Sequence, residues 1–552
     1  MDTNDIARVT RDSPADRRAA TRQAYSPVLI VLTALAAAGV LIYARFLLDP
    51  GNRGDLLPWL VVIAAEGVLV VHALFAMWTM LSARDPRDYH YWTMQARLYD
   101  PANPDRTLAL DGRQVGVEVF VTVYGEPVEV VRRTVEAALA IRGAHRTWLL
   151  DDGSSDSMRA LADELGCRYL RRRGSAGAKA GNINHALTQA KGDFFVVFDA
   201  DFVPRPEFIE EVLPFFSDDN VAFVQTPQTY GNLHTMIARG AGYMQTVFYR
   251  FIQPGRNHFN AAFCVGTNVM FRRAAVHEIG GIYADSKSED VWTSLKLHER
   301  GWRSIYLARP LAVGDAPETI EAYTKQQLRW ATGGFEILLR SNPFSRRRSL
   351  TVDQRIMYTI TATHYFTGIA PGLLLLVPPM EIYLDLHPVA LSVGVGQWLA
   401  VYAGFYLMQI LLAFATLGSF RWEVLMLAAV SFPIYVRAWV NALLRREQKW
   451  HVTGTTGTAA SPFNFIIPQV LAFVFLLVTS AVALWQVRRQ GVFTLGAAWN
   501  ITNTLILGTF MVVAWRESRL GRRSARRPSR VSTDSGQGSS PAGHDDIAEV
   551  AA

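Results

Sequence analysis

The chain has 552 residues, half of them hydrophobic and only 19% charged. That length exceeds what one core accommodates, and so apolar a composition excludes an ordinary soluble enzyme and points to membrane spans. The net charge is +7, but the basic residues gather at the ends. Arg8, Arg11, Arg17, Arg18 and Arg22 precede the first apolar run, and Arg516 to Arg530 follow the last, a pattern of positive-inside flanks rather than of a nucleic-acid partner. Two cysteines, Cys167 and Cys264, offer no disulfide framework and fit a reducing cytosolic face.

Residues 1–26 are polar and basic and are expected to be disordered. Pro27 to Leu48 is long enough to span a bilayer, which takes about 20 residues, and a second span is expected from about Leu57 to Leu81. Between 82 and 350 charge rises and short apolar runs alternate with helical patterns. Val115–Tyr124, Thr147–Leu150, Cys167–Leu170 and Phe194–Phe198 read as strands, with helices near 129–141, 157–165 and 179–189. Such alternation predicts a parallel sheet covered on both faces. After Thr351 apolar character returns, with spans expected near 355–383, 393–417, 465–487 and 492–515. The stretch 421–446 carries Arg437, Arg445 and Arg446 and is expected to lie in the interface or re-enter. Six spans with a basic N-terminus inside place both termini and residues 82–350 in the cytoplasm. The tail, 516–552, is basic, then Ser/Gly-rich and acidic, and is expected to be disordered.

The strand Phe194–Phe198 runs straight into Asp199-Ala200-Asp201. Carboxylates at a strand's carboxyl end suit a hard divalent cation that shares its coordination with phosphates, and ligands of open α/β sheets bind at that end. Three further clusters follow the same logic: Asp151-Asp152-Gly153 ending a strand, Ser288-Glu289-Asp290 preceding a helix, and Gln326 to Trp330 in a helical pattern. Spacing by three and four puts Gln326, Arg329 and Trp330 on one helix face, an amide, a cation and a flat ring suited to a diphosphate and a sugar. Singly, each has an ordinary explanation: a turn and cap, first-turn acids, an interfacial aromatic.

In this order the motifs resemble a processive family-2 glycosyltransferase of the cellulose synthase type. The matching residues are Asp151-Asp152-Gly153, Lys179-Ala-Gly-Asn182-Ile-Asn184, Asp199-Ala-Asp201, Val224-Gln-Thr-Pro227, Phe263-Cys264, Ser288-Glu-Asp290 and Gln326–Trp330, with Trp450-His-Val452-Thr453 similar to the family's gating loop. The resemblance implies a multi-pass membrane protein. An α/β GT-A (Rossmann-like) glycosyltransferase domain, 82–350, would sit between transmembrane helices, 27–81, and a transmembrane channel region, 351–515, that includes an interfacial helix and gating-like loop (421–460). It further implies that Tyr124, Glu126, Asp151 and Asp152 hold uridine, that Lys179 approaches the diphosphate or donor sugar, and that Asp199 and Asp201 hold the nucleotide and its Mg²⁺ or Mn²⁺. Asp290 would be the catalytic base, with Asp152 and Asp201 beside it in the catalytic set. Gln326, Arg329 and Trp330 would hold the pyrophosphate and the acceptor end, with Phe263 and Cys264 beside the acceptor.

The implied activity is polymerisation of a UDP-sugar, UDP-glucose to β-1,4-glucan first, with extrusion of the growing polysaccharide across the plasma or inner membrane. A cell-envelope accessory subunit is a compatible partner. Another β-linked polymer, such as a β-1,3 or mixed-linkage glucan or a hyaluronan-like chain, and a non-processive transfer to a lipid carrier are the alternatives. Two residues depart from the family pattern: Thr455 stands where the gating loop usually carries Lys, and Ser288 where Thr is usual. The tail after Trp515 is too short and too charged for a cyclic di-GMP-binding barrel, so no intrinsic control by that nucleotide is expected.

Overall fold

The computed structural model describes residues 27–99, 107–286, 288–446 and 461–525. The expected disordered N-terminus, the tail beyond 525 and the gating-like residues Trp450, Val452 and Thr453 lie outside them, whereas residues 516–525, expected to belong to the disordered tail, continue the last membrane-type helix. Two long apolar helices come first, α1 (Pro27–Leu48) and α2 (Leu56–Ser82).

The next segment builds a seven-stranded sheet. Its strands are β1 (Val117–Val123), β2 (Arg146–Asp151), β3 (Arg168–Arg171), β4 (Phe194–Asp199), β5 (Val221–Gln225), β6 (Val269–Arg272) and β7 (Arg303–Tyr306). Their spatial order is β7-β5-β6-β4-β1-β2-β3. Six run parallel, and β6 is antiparallel to both its neighbours. The expected all-parallel sheet is therefore a mixed one. Four residues are too few for periodicity to report direction, and the return of β6 follows from the loop that precedes it.

Helices α3 (Val128–Leu139), α4 (Asp156–Leu165) and α5 (Ala178–Leu187) accompany the sheet, whereas α6 (Met236–Val247) packs through Ile237 and Ala241 against Met426, Leu427 and Val430 of the apolar region. Alternate residues of β4 enter two separate cores: Phe194, Val196 and Phe198 face one, Phe195 and Val197 the other. Burial on both faces explains why this strand reads as an unbroken apolar run. On the second face Phe120, Phe195 and Phe271 stack across three strands, with ring centroids 5.5 and 5.2 Å apart.

An acidic side chain is buried at the opposite end of the sheet from Asp151. Glu118 on β1 is 2% exposed and accepts hydrogen bonds from Trp148 Nε1 (2.6 Å), Lys191 N (3.2 Å) and Gly192 N (3.1 Å). It so anchors the turn that leads into β4.

Helix α7 (Glu289–Glu299) precedes β7, and the 21-residue α8 (Ile320–Arg340) leads back to the apolar region. The residues from 352 to 363, expected to begin a span, instead form a separate helix, α9 (Val352–Thr363). It is closed by a Thr351–Gln354 capping box, and its buried Tyr358 packs with Ile337 of α8. Gln354, Met357, Tyr358 and Ala362 share its buried face while Asp353 is exposed, which makes it a packed surface helix rather than a membrane span. The span is α10 (Phe366–Leu384). It is followed by α11 (Val395–Leu417), the bent pair α12 (Trp422–Val430) and α13 (Phe432–Leu443), α14 (Ile467–Gln490) and α15 (Leu495–Ala525).

Among the described residues, five helices are long and apolar enough to cross a membrane: α1, α2, α10, α14 and α15 up to Arg519. Helix α11, of 23 residues, occupies the place of the remaining expected span. The α12–α13 pair bends by 42°. Its break has a local cause: Pro433 removes a donor, Ser431 Oγ donates back to Leu427 O (2.6 Å), and Gln469 Nε2 takes up the freed Val430 carbonyl (3.0 Å).

Close helix packing rests on small residues. A Cβ at Gly368 or Gly372 of α10 would strike the rings of Tyr435 and Phe432 on α13. A Cβ at Gly333 of α8 would lie 1.8 Å from Ser288 Oγ, so α8 seats directly on the turn that opens α7.

Glu118→Ala strands the Trp148, Lys191 and Gly192 donors in an apolar sheet. It is expected to destabilise the domain by about 3 kcal/mol, read as a fall in thermal midpoint of the detergent-solubilised chain. An unchanged midpoint would show that water replaces the carboxylate there.

Candidate functional site

The carboxyl ends of β1, β2 and β4 open into a cleft of about 1690 Å³ that also receives α7 and α8 and ends beneath α13. Each wall is fixed by hydrogen bonds, some from side chains behind the cleft and some from side chains that line it.

After β1, the Tyr124 backbone N–H donates to Glu126 Oε2 (2.7 Å) in a tight turn, which leaves the Tyr124 side chain 38% exposed at the rim. After β2, the two aspartates diverge. Asp151 is fully buried and does not line the cleft: it accepts from Gly153 N (2.9 Å), Ser155 N (2.7 Å) and Tyr169 Oη (2.6 Å), which builds the turn. Asp152 faces the cleft and is clamped by Arg172, whose Nη2 donates to Oδ2 at 2.8 Å.

After β4, Asp199 receives Lys179 Nζ from the first turn of α5, and that same ammonium donates to Gly266 O (2.8 Å). Asp199 N–H donates to Thr267 Oγ1 (3.0 Å), so the β4 end and the loop before β6 are tied together. Asp201 lies one turn further on in the same cleft.

Gln225, at the end of β5, clamps that loop: its Nε2 donates to Thr226 O (2.7 Å) and Thr267 O (2.8 Å), while Oε1 accepts from Val265 N (2.9 Å). Asn184 likewise pins the approach to α7 through a pair of 2.8 Å bonds with the Ile282 backbone, and Asn182 Nδ2 holds Leu150 O (3.0 Å). The Val-Gln-Thr-Pro and Lys-Ala-Gly-Asn-Ile-Asn stretches thus hold loops together; of these, Lys179 and Asn182 also reach the cleft.

Gly266 is the residue that sequence reasoning missed. It has φ +84°, and a Cβ there would stand 3.4 Å from Lys179 Nζ, 3.6 Å from Asp290 Oδ2 and 3.7 Å from Glu289 Oε1. Three charged groups from two elements, α5 and α7, therefore converge on one bare backbone position. The available signal was the glycine itself, two residues after Cys264 and before a short strand.

Asp290 Oδ1 accepts from Val291 N (2.8 Å), leaving Oδ2 towards the cleft. Phe263 and Cys264 do not line the cleft. They lie behind it: Cys264 N donates to Ser294 Oγ (2.8 Å), and Cys264 Sγ and Ser294 Oγ both donate to the Asp290 carbonyl (3.1 and 3.0 Å). From α8, Gln326, Arg329 and Trp330 line the opposite wall, and Gln326 Oε1 is buried without a hydrogen-bond partner among the described residues. Further along, Phe432, Pro433, Val436 and Arg437 of α13 complete the cleft under the bent pair.

The electrostatics follow from acids outnumbering cations. Asp201 and Asp290 keep some surface open to the cleft yet lie deep in the protein. Burial, then the neighbouring Asp199 and the more distant Asp315 and Glu126, push the Asp201 carboxyl up to about 7. Burial and then Glu289 push Asp290 well above the usual carboxylate range, against the pull of Lys179 and Arg329. Burial raises Glu126 as well. For Lys179 burial opposes the charged form, but Asp199, Glu289 and Asp290 outweigh it and hold its pKa above the ordinary lysine value.

Among the described residues no three His, Cys, Asp or Glu side chains gather as a complete metal cage. Asp199 and Asp201 form an incomplete oxygen donor set with uncompensated charge at Asp201. That fits a divalent cation which takes its remaining ligands from phosphate and water.

Two family models match the chain: glycosyltransferase like family 2 over residues 114–333 and cellulose synthase over 276–481. A cellulose synthase catalytic subunit (UDP-forming) of Xanthomonas axonopodis pv. citri is 37% identical over 266 residues, 46% of this chain and 36% of that protein. Cellulose synthase 1 catalytic subunit (UDP-forming) of Komagataeibacter xylinus is 29% identical over 457 residues, 78% of this chain and 59% of that protein. The chain thus spans about a third to three-fifths of the length of these relatives. Among solved structures, a mannosyltransferase from Pyrobaculum calidifontis in complex with GDP-Man and Mn²⁺ aligns with 70% of this chain and 100% of its own, at 15% identity and a TM-score of 0.47, a distance at which it says nothing about ligands here. The mixed seven-stranded sheet is flanked in sequence by membrane-type helices. By its two matched segments the chain is similar to the family-2 glycosyltransferases of the cellulose synthase type.

Proposed function

We propose that the chain is an inverting, processive glycosyltransferase of the inner membrane that polymerises a UDP-sugar, UDP-glucose to β-1,4-glucan first, and passes the product outward through its membrane helices. The observation that carries this reading is the cleft in which Lys179, Asp290 and Glu289 meet around Gly266, which Asp199 and Arg329 also line, and which continues beneath α13. The printed names of the relatives, UDP-forming cellulose synthase subunits, supply the donor class.

In this reading Tyr124, Glu126 and Asp152 receive the uridine. Asp151 serves them indirectly by shaping the turn, and Phe263 and Cys264 act from behind Asp290 rather than on the acceptor. Lys179, released from Asp199 when a diphosphate enters, and Arg329 are fixed cations for the charge that builds up on the leaving UDP. Gln326, with its unpartnered oxygen, and Trp330, with its flat face, fit the hydroxyls and ring of the sugar. Mg²⁺ or Mn²⁺ on Asp199 and Asp201, when bound, supplies Lewis-acid neutralisation of the diphosphate. Asp290 Oδ2 takes the proton from the acceptor hydroxyl as the new bond to the anomeric carbon forms and the bond to the UDP oxygen breaks on the opposite face. An α-linked donor so gives a β-linked product.

The first test is incorporation of radiolabelled UDP-glucose by membranes carrying the full chain with Mg²⁺ or Mn²⁺. Long product digestible by a β-1,4-glucanase is expected. Asp290→Asn should lower the rate at least about 100-fold. Resistance to that enzyme would move the linkage, and polymerisation of another UDP-sugar alone would move the donor. Because Asp290 is held above the ordinary carboxylate value of about 4, it acts as a base only once deprotonated. The value of kcat/KM should therefore fall on acidification well above pH 4, about tenfold per pH unit; a flat profile down to that pH would remove Asp290 from the role.

Asp201 generates a stability prediction with the opposite pH sense. Its folded-state pKa of about 7 lies above the unfolded value of 3.8. The folded state therefore holds the proton longer, and metal-free stability declines as pH rises between these values. With chelator present, Asp201→Asn is expected to raise the thermal midpoint at pH 8 and to have little effect near pH 4. Mn²⁺ should stabilise the wild-type chain at pH 8 more than the variant; equal stabilisation of both would take the ion away from Asp201.

A further inference from the structure

The helix that carries Gln326, Arg329 and Trp330 has an unusual partner at its start. Helix α8 begins with Thr319 as N-cap, whose Oγ1 accepts from Ala322 N at 3.1 Å. That leaves Ile320 N, the first amide of the helix, without a partner inside the helix, as for every helix start. It is taken by a side chain 197 positions away: Ile320 N donates to both carboxylate oxygens of Glu517, at 3.2 and 3.1 Å. Glu517 sits on the last membrane helix, α15, just past its apolar run and between the exposed Arg516 and Arg519.

The contact is built rather than incidental. The Ile320 side chain is buried in one apolar cluster with Phe510 and Ala514 of α15 and Met426, Leu427 and Val430 of α12. The carboxylate is thereby delivered to the helix end by apolar packing on either side. It supplies negative charge where the α8 dipole is positive. Arg516 and Arg519 are exposed, and the Arg519 guanidinium lies over the Trp515 ring (4.4 Å).

We propose that Glu517 is a positioning residue. It caps α8 from the last membrane helix and sets the depth at which Gln326, Arg329 and Trp330 stand in the cleft. Trp330 lies ten residues, about 15 Å, along α8 from Ile320, and α8 is rigid over that distance. A helix free to slide along its axis moves all three side chains together relative to Asp290, which belongs to α7 and does not follow. Misplacement by about 1 Å suffices to cost up to about 100-fold in rate. Glu517 touches neither sugar nor nucleotide, so its effect falls on turnover rather than on capture of the donor.

The turnover part rests on the transferase reading above; the cap itself does not. The experiment uses the full chain in lipid nanodiscs, comparing wild type with Glu517→Ala and Glu517→Gln by hydrogen exchange and by steady-state incorporation of UDP-glucose. Glu517→Ala should speed exchange of the first turn of α8 about fivefold and leave β1 and β4 unchanged. It should lower kcat about tenfold with KM within about twofold. Glu517→Gln keeps an acceptor oxygen and should restore part of both. Unchanged α8 exchange in Glu517→Ala overturns the proposal whatever happens to turnover. So does a loss of kcat accompanied by faster exchange throughout the sheet, which would mark general destabilisation. Failure of the wild-type chain to use any UDP-sugar would count against the transferase reading alone, since exchange tests the cap without substrate.

Discussion

The arrangement depends on one contact, the Lys179 ammonium held between the Asp199 carboxylate and the Gly266 carbonyl. It joins the start of α5, the end of β4 and the loop before β6, elements that the chain visits at widely separated points. Because Lys179 serves as counter-ion to Asp199, Glu289 and Asp290 together, one cation is shared among three acids, and Asp201 lies outside its reach of compensation. A cleft with such a surplus of negative charge is unfavourable when empty. It becomes favourable when filled by a ligand that brings a divalent cation, which is the sense in which its geometry anticipates a metal-borne diphosphate.

Helix α8 carries that site to the membrane. Its first turn is bound by α15, its middle faces the cleft, Gln327 receives Tyr435 Oη of α13 at 3.0 Å, and Gly333 lies against the turn of Ser288. The helix belongs equally to the sheet domain and to the apolar bundle. A movement of α13 is thereby felt at Trp330 through direct packing, with Phe335 among Tyr435, Ala438 and the ring of Trp439. One helix is thereby a wall common to the cleft and to the apolar bundle.

What could be read in advance followed from short-range chemistry. A buried strand ending in Asp199-Ala-Asp201, and the i, i+3, i+4 spacing of Gln326, Arg329 and Trp330, are local patterns, and both stand in the cleft. Asp151 and Asp152 could not be told apart, since adjacent residues at a strand end differ only in which way the turn sends them; one became scaffolding and the other faced the cleft. The antiparallel β6 was too short for its direction to show. The amphipathic α9 was merged with the following span because Thr, Met and Tyr raise apolarity without making a lipid-facing surface. Gly266 and Glu517 were beyond such reading altogether: the first matters for the side chain it lacks, the second for a partner 197 residues away.

Two adjacent acids open α7, and their surroundings decide between them. Both lie deep in the protein; burial raises each, Glu289 adds to the cost of charging Asp290, and Asp199 to that of charging Glu289. Together they therefore hold a proton more readily than either would alone. Lys179 and Arg329 draw on both, so those cations do not discriminate. The difference lies in the backbone. Asp290 has one oxygen fixed by Val291 N, and its carbonyl is held by Cys264 and Ser294. The second oxygen is thereby aimed past Gly266 in a set orientation. A base must present a lone pair in one direction at the moment of transfer. Burial raises Glu289 as well, so the pair as a whole gives up its protons only above the ordinary carboxylate range, and the set orientation belongs to Asp290.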